Sequence, residues 1–258
     1  MPALIGSRRP ILTQPTGGGG WSPGRLGPDR LAQWYDANDA ASVQVVGETI
    51  TQIDDKSGND RHIVQANGFI APEWANPGAQ YLEGGNNVLA TAGNSPIIGS
   101  TERHVFVAVD RQTTAGGPVF YWGAQSNGQA FGLTLNSTGN DLTGYGWGPG
   151  DLSFGASSAL GSRLAYLGHV AGITYGSQNG ALTPSSVSVN LNTAASPFYL
   201  GARPTGLTGF IQALFREVVV VTGALSLAER QTIEGYMAWN NGLQTLLPSG
   251  HPYKSTRP

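Results

Sequence analysis

Residues Gly209 to Pro252, with the Tyr253 that follows, read GFIQALFREVVVVTGALSLAERQTIEGYMAWNNGLQTLLPSGHPY and hold the longest apolar run of the chain. Phe210 to Val221 is rich in β-branched and aromatic residues at both parities of the pleat, which reads as a strand buried on two sides. Gly223 ends it. Ser226 followed by Glu229 fits a capping box, in which the Ser oxygen accepts from one amide while the Glu side chain reaches back to another. A helix is therefore expected from Ser226 to a stop at Gly242. Leu227, Ile233, Tyr236, Met237 and Trp239 supply its apolar side, and Glu229, Arg230, Gln231 and Glu234 its wet side.

Outward from that stretch, composition narrows the class. The chain has 258 residues, 40% of them hydrophobic, enough to bury one sizeable core. Only 12% are charged and 38 are glycine, about twice average usage, which suits many short strands joined by tight turns. A net charge of -2 offers phosphates no basic field, so no nucleic-acid partner is expected. Zero cysteines exclude disulfides and thiolate metal sites. No run approaches the ~18 apolar residues of a membrane span, so no membrane insertion is expected, and residues 1–28 lack the apolar core of a secretory signal.

Residues 1–28 contain Pro2, Pro10, Pro15, Pro23 and Pro28 and the run Gly17 to Gly20, which reads as an arm, flexible or docking. Residues 29–258 read as the main domain. Strand-like segments are placed at Arg30–Asp36, Val43–Val46, Thr49–Ile53, His62–Gln65, Gln80–Leu82, His104–Asp110, Val119–Gly123, Ala130–Leu135, Leu142–Trp147, Arg163–Tyr175, Ser186–Asn190 and Phe198–Gly201. Val105, Val107 and Val109 alternate with Phe106 and Ala108, and Val119 and Tyr121 with Phe120 and Trp122, as strands packed on both faces would require. Turn dipeptides such as Gly116-Gly117, Asn127-Gly128 and Asn179-Gly180 punctuate them. An all-β fold follows, an antiparallel sandwich or jelly roll of two sheets with one C-terminal helix.

Five stretches stand in an order that resembles a family: Trp34-Tyr35-Asp36-Ala37-Asn38-Asp39, Asp55-Lys56-Ser57-Gly58-Asn59, Tyr199-Leu200-Gly201-Ala202-Arg203, Leu225-Ser226 through Gly235-Tyr236, and Leu247-Pro248-Ser249-Gly250-His251-Pro252-Tyr253. Together they resemble the laminin-G-like (LamG) domains of the concanavalin A-like lectin/glucanase superfamily, in the form found in phage virion and bacterial surface proteins. The resemblance spans about Arg30 to Tyr253. It implies a concanavalin A-like jelly roll of two antiparallel sheets, and a carbohydrate-binding or adhesive module. Two departures stand out: Asn240-Asn241 where many relatives carry Lys-Trp, and Gly85-Asn86-Asn87 where many carry paired carboxylates, which removes hard anionic oxygens from a family-style calcium site.

The glucanases of that superfamily set acidic residues at alternating strand positions, because two carboxyl groups must flank one glycosidic bond. This chain has no Glu-x-Asp-x-Glu, and its sixteen carboxylates are scattered. It also lacks a Gly-x-Ser-x-Gly elbow, and His62, His104, His169 and His251 lack metal-ligand spacing. The expectation is that the chain is not an enzyme and has no catalytic residues, with glycoside hydrolysis the weakest of three readings. His251 is expected to make a local hydrogen bond that fixes the C-terminal turn.

For sugar binding, which needs an aromatic face with polar groups beside it, the candidates are Tyr145 and Trp147 with Asn140, Asp141 and Asp151, and Trp122 with Gln125 and Asn127. The competing reading makes those aromatics core or subunit contacts. For metal, Asp36, Asp39, Asp55 and Asn59 lie in the densest oxygen clusters, and a structural calcium is the one cofactor they admit. The cheaper reading is that the same residues form Asx and Ser turns that bond their own backbone.

The expected function is a virion protein of a phage tail, fibre or head decoration: the arm docks on other virion proteins, and the jelly roll displays a site for host-surface glycans. The alternative is a purely structural decoration domain. A homo-oligomer would turn weak sites into avidity. Such a protein would be assembled in the host cytoplasm and released by lysis.

Overall fold

Seventeen strands and one helix organise the computed structural model, which describes residues 20–66, 68–75, 78–81, 87–137, 142–148, 150–155, 160–203 and 211–258. In chain order the strands are β1 (Leu31–Asp36), β2 (Val43–Val46), β3 (Thr49–Ile53), β4 (Ile63–Gln65), β5 (Glu73–Trp74), β6 (Ala79–Tyr81), β7 (Leu89–Asn94), β8 (Arg103–Arg111) and β9 (Gly117–Gly123). They continue as β10 (Ala130–Leu135), β11 (Leu142–Tyr145), β12 (Leu152–Phe154), β13 (Gly161–Val170), β14 (Ile173–Gln178), β15 (Ser185–Ser188), β16 (Pro197–Leu200) and β17 (Ala213–Thr222). The helix is α1 (Leu227–Asn240).

The valine-rich run forms β17, hydrogen-bonded to β8 along its length and to β1 on its other edge. Antiparallel pairing extends this first sheet in the order β1, β17, β8, β13, β14, β15. A second sheet runs β12, β11, β10, β9, β16, β7, β4, β3, β2, also antiparallel. The short β5 and β6 bridge the two sheets from β3 to β17. The result is an all-β sandwich of two antiparallel sheets with a single C-terminal helix among the described residues.

Alternation along β17 explains why both parities are apolar. Val218 and Val220 face the space between the sheets with Val105, Val107 and Val109 of β8, meeting Phe120, Trp122, Phe131, Leu133 and Phe198 of the second sheet. Val219 and Val221 face the opposite way with Phe106, Ala108, Leu164 and Tyr166, under Ile233, Tyr236 and Met237 of α1. The first sheet is thus buried on both faces.

The helix begins as its sequence predicts: Ser226 Oγ accepts from the Glu229 amide at 3.2 Å and Glu229 accepts from the Ser226 amide at 2.9 Å. It ends at Asn241, with Gly242 at φ 69, the left-handed exit glycine tolerates. Its faces differ from the expected ones. Leu227 is 60% exposed, whereas Arg230 and Glu234, expected on the wet side, are buried. Arg230 lies over the Tyr166 ring at 5.5 Å, and Glu234 stands 3.4 Å from His251 Nε2. His251 Nδ1 accepts from the Tyr253 amide at 3.2 Å, the local bond expected of it. Gly235 lets the tail cross the helix, since a Cβ there would come 2.6 Å from Tyr253 Cβ. Upstream of β1, Trp21 stacks edge-on against Tyr236 at 5.7 Å, and its amide donates to the Pro258 carbonyl at 3.1 Å.

Several strand expectations need correction. The stretch Arg163–Tyr175, read as one strand, is a hairpin of β13 and β14, because Ala171 (φ 49) and Gly172 (φ 76) are both left-handed, as a two-residue turn of this hand requires. Strands β5, β7 and β12 were not anticipated, being short or rich in small polar residues. The strand expected at Leu142–Trp147 ends at Tyr145. Phe210, Leu82, Gly85 and Asn86 lie outside the described residues, as do residues 1–19 of the arm.

Two arginines cap the ends of β8 inside the sandwich. Arg103 donates to the carbonyls of Thr101 and Gly99 and to Thr193 Oγ1, each at 2.7 Å. Arg111 donates to the carbonyls of Thr113 (2.7 Å), Thr114 (2.6 Å) and Asn136 (2.9 Å). Burial lowers the Arg103 pKa to about 10.

A buried polar network closes the gap between β17 and the end of α1. Glu217 accepts from Trp34 Nε1 (2.8 Å), Asn240 Nδ2 (3.0 Å) and Asn241 Nδ2 (2.8 Å), so the asparagines that depart from the family pattern have a structural use. Asp36 sits opposite Glu217 in the β1–β17 register. Burial first, and the Asp36 charge second, push the Glu217 pKa up to about 7 from 4.5. The folded protein therefore holds this proton to higher pH than the unfolded chain, so the Glu217 contribution to stability is complete below about pH 4.5 and is lost as pH rises through 7. His104 and His169, both lowered to about 4 chiefly by burial, act oppositely, losing stability as pH falls below 6.5. In urea unfolding followed across this range, the Glu217→Gln variant is expected to lose the wild-type decline toward alkaline pH while keeping the histidine-driven decline in acid. An unchanged alkaline decline in the variant would place that titration elsewhere.

Candidate functional site

The outer face of the second sheet carries an aromatic row fixed by strand register. Tyr145 of β11 pairs with Gly132 of β10, Gly132 with Tyr121 of β9, and Tyr121 with Tyr199 of β16, so all four occupy one face across four neighbouring strands. Gly132 is required there: a Cβ would come 2.6 Å from Tyr121 Cδ2, so the Tyr121 ring lies against a position with no side chain. Thr134 and Thr143 pair one step along the same face, and Asn136 Nδ2 donates to Thr143 Oγ1 at 2.7 Å.

The turn after β11 brings Trp147 to this row. Trp147 has φ 63, a left-handed conformation that costs a bulky residue about 1–3 kcal/mol. Asp151 holds the turn: its Oδ1 accepts from the amides of Gly146 (3.0 Å) and Gly148 (3.3 Å), and its own amide donates to the Gly148 carbonyl at 3.0 Å. The surrounding protein raises the Asp151 pKa, with the Gly146, Gly148 and Trp147 amides pulling the other way. Tyr145 and Trp147, both half-buried, stand 6.4 Å apart with rings inclined at 41°, and the Arg203 guanidinium lies 5.8 Å from the Trp147 ring centre. Asn127 is exposed beside the turn, where Gly148 leaves it room: a Cβ on Gly148 would come 2.4 Å from Asn127 Oδ1.

Four of the sequence candidates for sugar binding, Tyr145, Trp147, Asp151 and Asn127, thus come together. Asn140 and Asp141 lie outside the described residues. Trp122 is corrected: it is fully buried between the sheets, packs on Phe131 at 4.9 Å, and donates from Nε1 to the Ile97 carbonyl at 2.9 Å, so it offers a ligand no surface. Its neighbour Tyr121 and, further along the row, Tyr199 were missed. The alternation of β9 separated Tyr121 from Trp122, but no local signal said which parity faced out.

Tyr121 is only 1% exposed, and among the described residues its hydroxyl has no hydrogen-bond partner. Leaving such a group unpaired costs about 1–3 kcal/mol. Burial raises its pKa, with lesser and opposing influences from the Arg203 and Asp151 charges.

The metal candidates are held by turn chemistry. Lys56 Nζ sits on both Asp36 (3.1 Å) and Asp39 (2.8 Å) and 4.7 Å from the Trp34 ring centre, a cation already between those carboxylates. Asp55 accepts from the amides of Trp34, Ser57 and Arg61, and Asn59 Nδ2 donates to the Leu31 carbonyl at 2.8 Å. Asp39 caps the 3-10 turn Ala40–Ser42. Among the described residues no group of three or more His, Cys, Asp or Glu is arranged to hold a metal ion.

No protein-family model and no curated protein sequence matches the chain. Solved structures do share its fold. A Trypanosoma rangeli sialidase in complex with a 2,3-difluoro sugar acid superposes with a TM-score of 0.54 at 13% identity, over 77% of this chain and 31% of that one. An α-L-arabinofuranosidase soaked with a cyclic sulfate inhibitor gives 0.50 at 16% identity, over 72% of this chain and 50% of that one. The chain therefore spans 31% to 50% of the length of these carbohydrate-active proteins, and at such identity the likeness is one of fold. The expectation that the chain is not an enzyme is corrected by this comparison: both structures belong to glycosidases, so the fold gives no ground for setting catalysis aside.

Replacing Asp151 with Ala leaves the Gly146 and Gly148 amides without their carboxylate and is expected to cost about 1 kcal/mol in urea unfolding. Asp151→Asn, which retains an acceptor oxygen, is expected to lose less; equal stability of Asp151→Ala and wild type would show that the carboxylate does not hold the turn.

Proposed function

We propose that this chain is a laminin-G-like, carbohydrate-binding sandwich domain of a carbohydrate-active protein, with its site on the outer face of the second sheet around Tyr145, Trp147, Asp151 and Asn127. The observation that carries the reading is the pairing of two half-buried aromatic rings with polar groups on a turn held in a strained conformation. A pyranose or furanose ring presents a C–H face that stacks on such rings while its hydroxyls need amides and carboxylates at the rim. Strain of this kind persists where surrounding structure over-determines it, and it marks ligand clamps. The shared fold with a sialidase and an arabinofuranosidase supports the sugar class and leaves the particular sugar open.

The setting that fits the sequence is display on a phage particle through the Gly/Pro-rich arm, where many copies would raise weak single-site binding to useful avidity. In glycan-array binding with the intact chain, Tyr145→Ala and Trp147→Ala are each expected to weaken binding at least tenfold, with circular dichroism unchanged. Wild-type binding by both folded variants would reject this site.

A further inference from the structure

The Tyr121 hydroxyl is buried and makes no hydrogen bond to the described residues. Its ring fills space across the outer face of the second sheet, a task phenylalanine performs equally well, yet the residue is 1% exposed and its oxygen is buried and unpartnered among the described residues. Two features are arranged around it. Gly132, opposite in register, gives the ring room to lie against the sheet. On the neighbouring turn, Trp147 adopts its left-handed conformation between Gly146 and Gly148, the latter at φ 135, with Arg203 over the indole. Tyr121 stands in the same row as Tyr145, separated from it by Gly132, the position its ring lies against.

We infer that Tyr121 is the specificity-determining residue of the sugar site, an inference that rests on the binding function proposed above. Its hydroxyl exchanges one hydrogen bond with a ring hydroxyl of the sugar stacked on Tyr145 and Trp147. In the empty site the oxygen stays unpaired; bound sugar satisfies it. A buried hydroxyl waiting for one partner discriminates strongly, because a sugar lacking or inverting that hydroxyl leaves it unpaired.

The decisive variant is Tyr121→Phe, with Tyr175→Phe in β14 of the first sheet as a control outside the row. Methyl glycosides of glucose, galactose, mannose, N-acetylglucosamine, xylose and arabinose are titrated against the intact chain by NMR, and urea midpoints are measured in parallel. The expected result is a raised or equal midpoint for Tyr121→Phe, together with at least tenfold weaker binding of the glycoside that wild type prefers. Preference among the six is expected to flatten in Tyr121→Phe and to persist in Tyr175→Phe. A purely structural tyrosine would move the midpoint and leave affinity and preference untouched, and that outcome overturns the inference. If Tyr145→Ala abolishes binding while Tyr121→Phe retains both affinity and preference, this inference alone fails. If wild type binds none of the six glycosides and no array glycan, the proposed function fails and takes this inference with it.

Discussion

Burial of β17 on both faces is the constraint that arranges everything else. A strand with valine at four consecutive positions, Val218 to Val221, has no side to offer water, so it needs one apolar partner layer below and another above. The second sheet supplies one and α1 the other. With the helix committed to the first sheet, no α-helix among the described residues covers the outer face of the second, and that is where the aromatic row stands. The location of the candidate site thus follows from the apolar run at the opposite end of the chain.

That logic was legible where the signal was local or periodic. The alternation of β8 and β9, the limits of β10, and the reciprocal Ser226–Glu229 cap could all be read from neighbouring residues, and the structure carries them. What could not be read depended on partners far along the chain. Arg230 and Glu234 look like surface residues until Tyr166 and His251 are brought over them. The hairpin between β13 and β14 turns on Ala171, a residue type that does not announce a left-handed backbone. The aspartates of the early loops read as turns first and calcium second, and what the sequence did not give is the Lys56 ammonium that sits on Asp36 and Asp39.

The site shows the same division at finer scale. Tyr145-Gly146-Trp147-Gly148 was recognisable because two aromatics among glycines suggest rings held out from a turn, and Asp151 and Asn127 do join them. Choosing Trp122 over Tyr121 was an error of a single residue in parity. Sequence alternation separates two faces without labelling them, and the larger indole was the better filler for the space between the sheets. The likeness to the sialidase and the arabinofuranosidase is one of fold, which spacing and composition had already indicated.

The arginines at the two ends of β8 have a consequence for how such a domain can change. Five of the six acceptors named for them are main-chain carbonyls, a group that every amino acid presents alike. The rim loops are therefore moored to the central strand by atoms that substitution does not alter. Their side chains are free to vary, and with them what the rim recognises, while the moorings stay where they are.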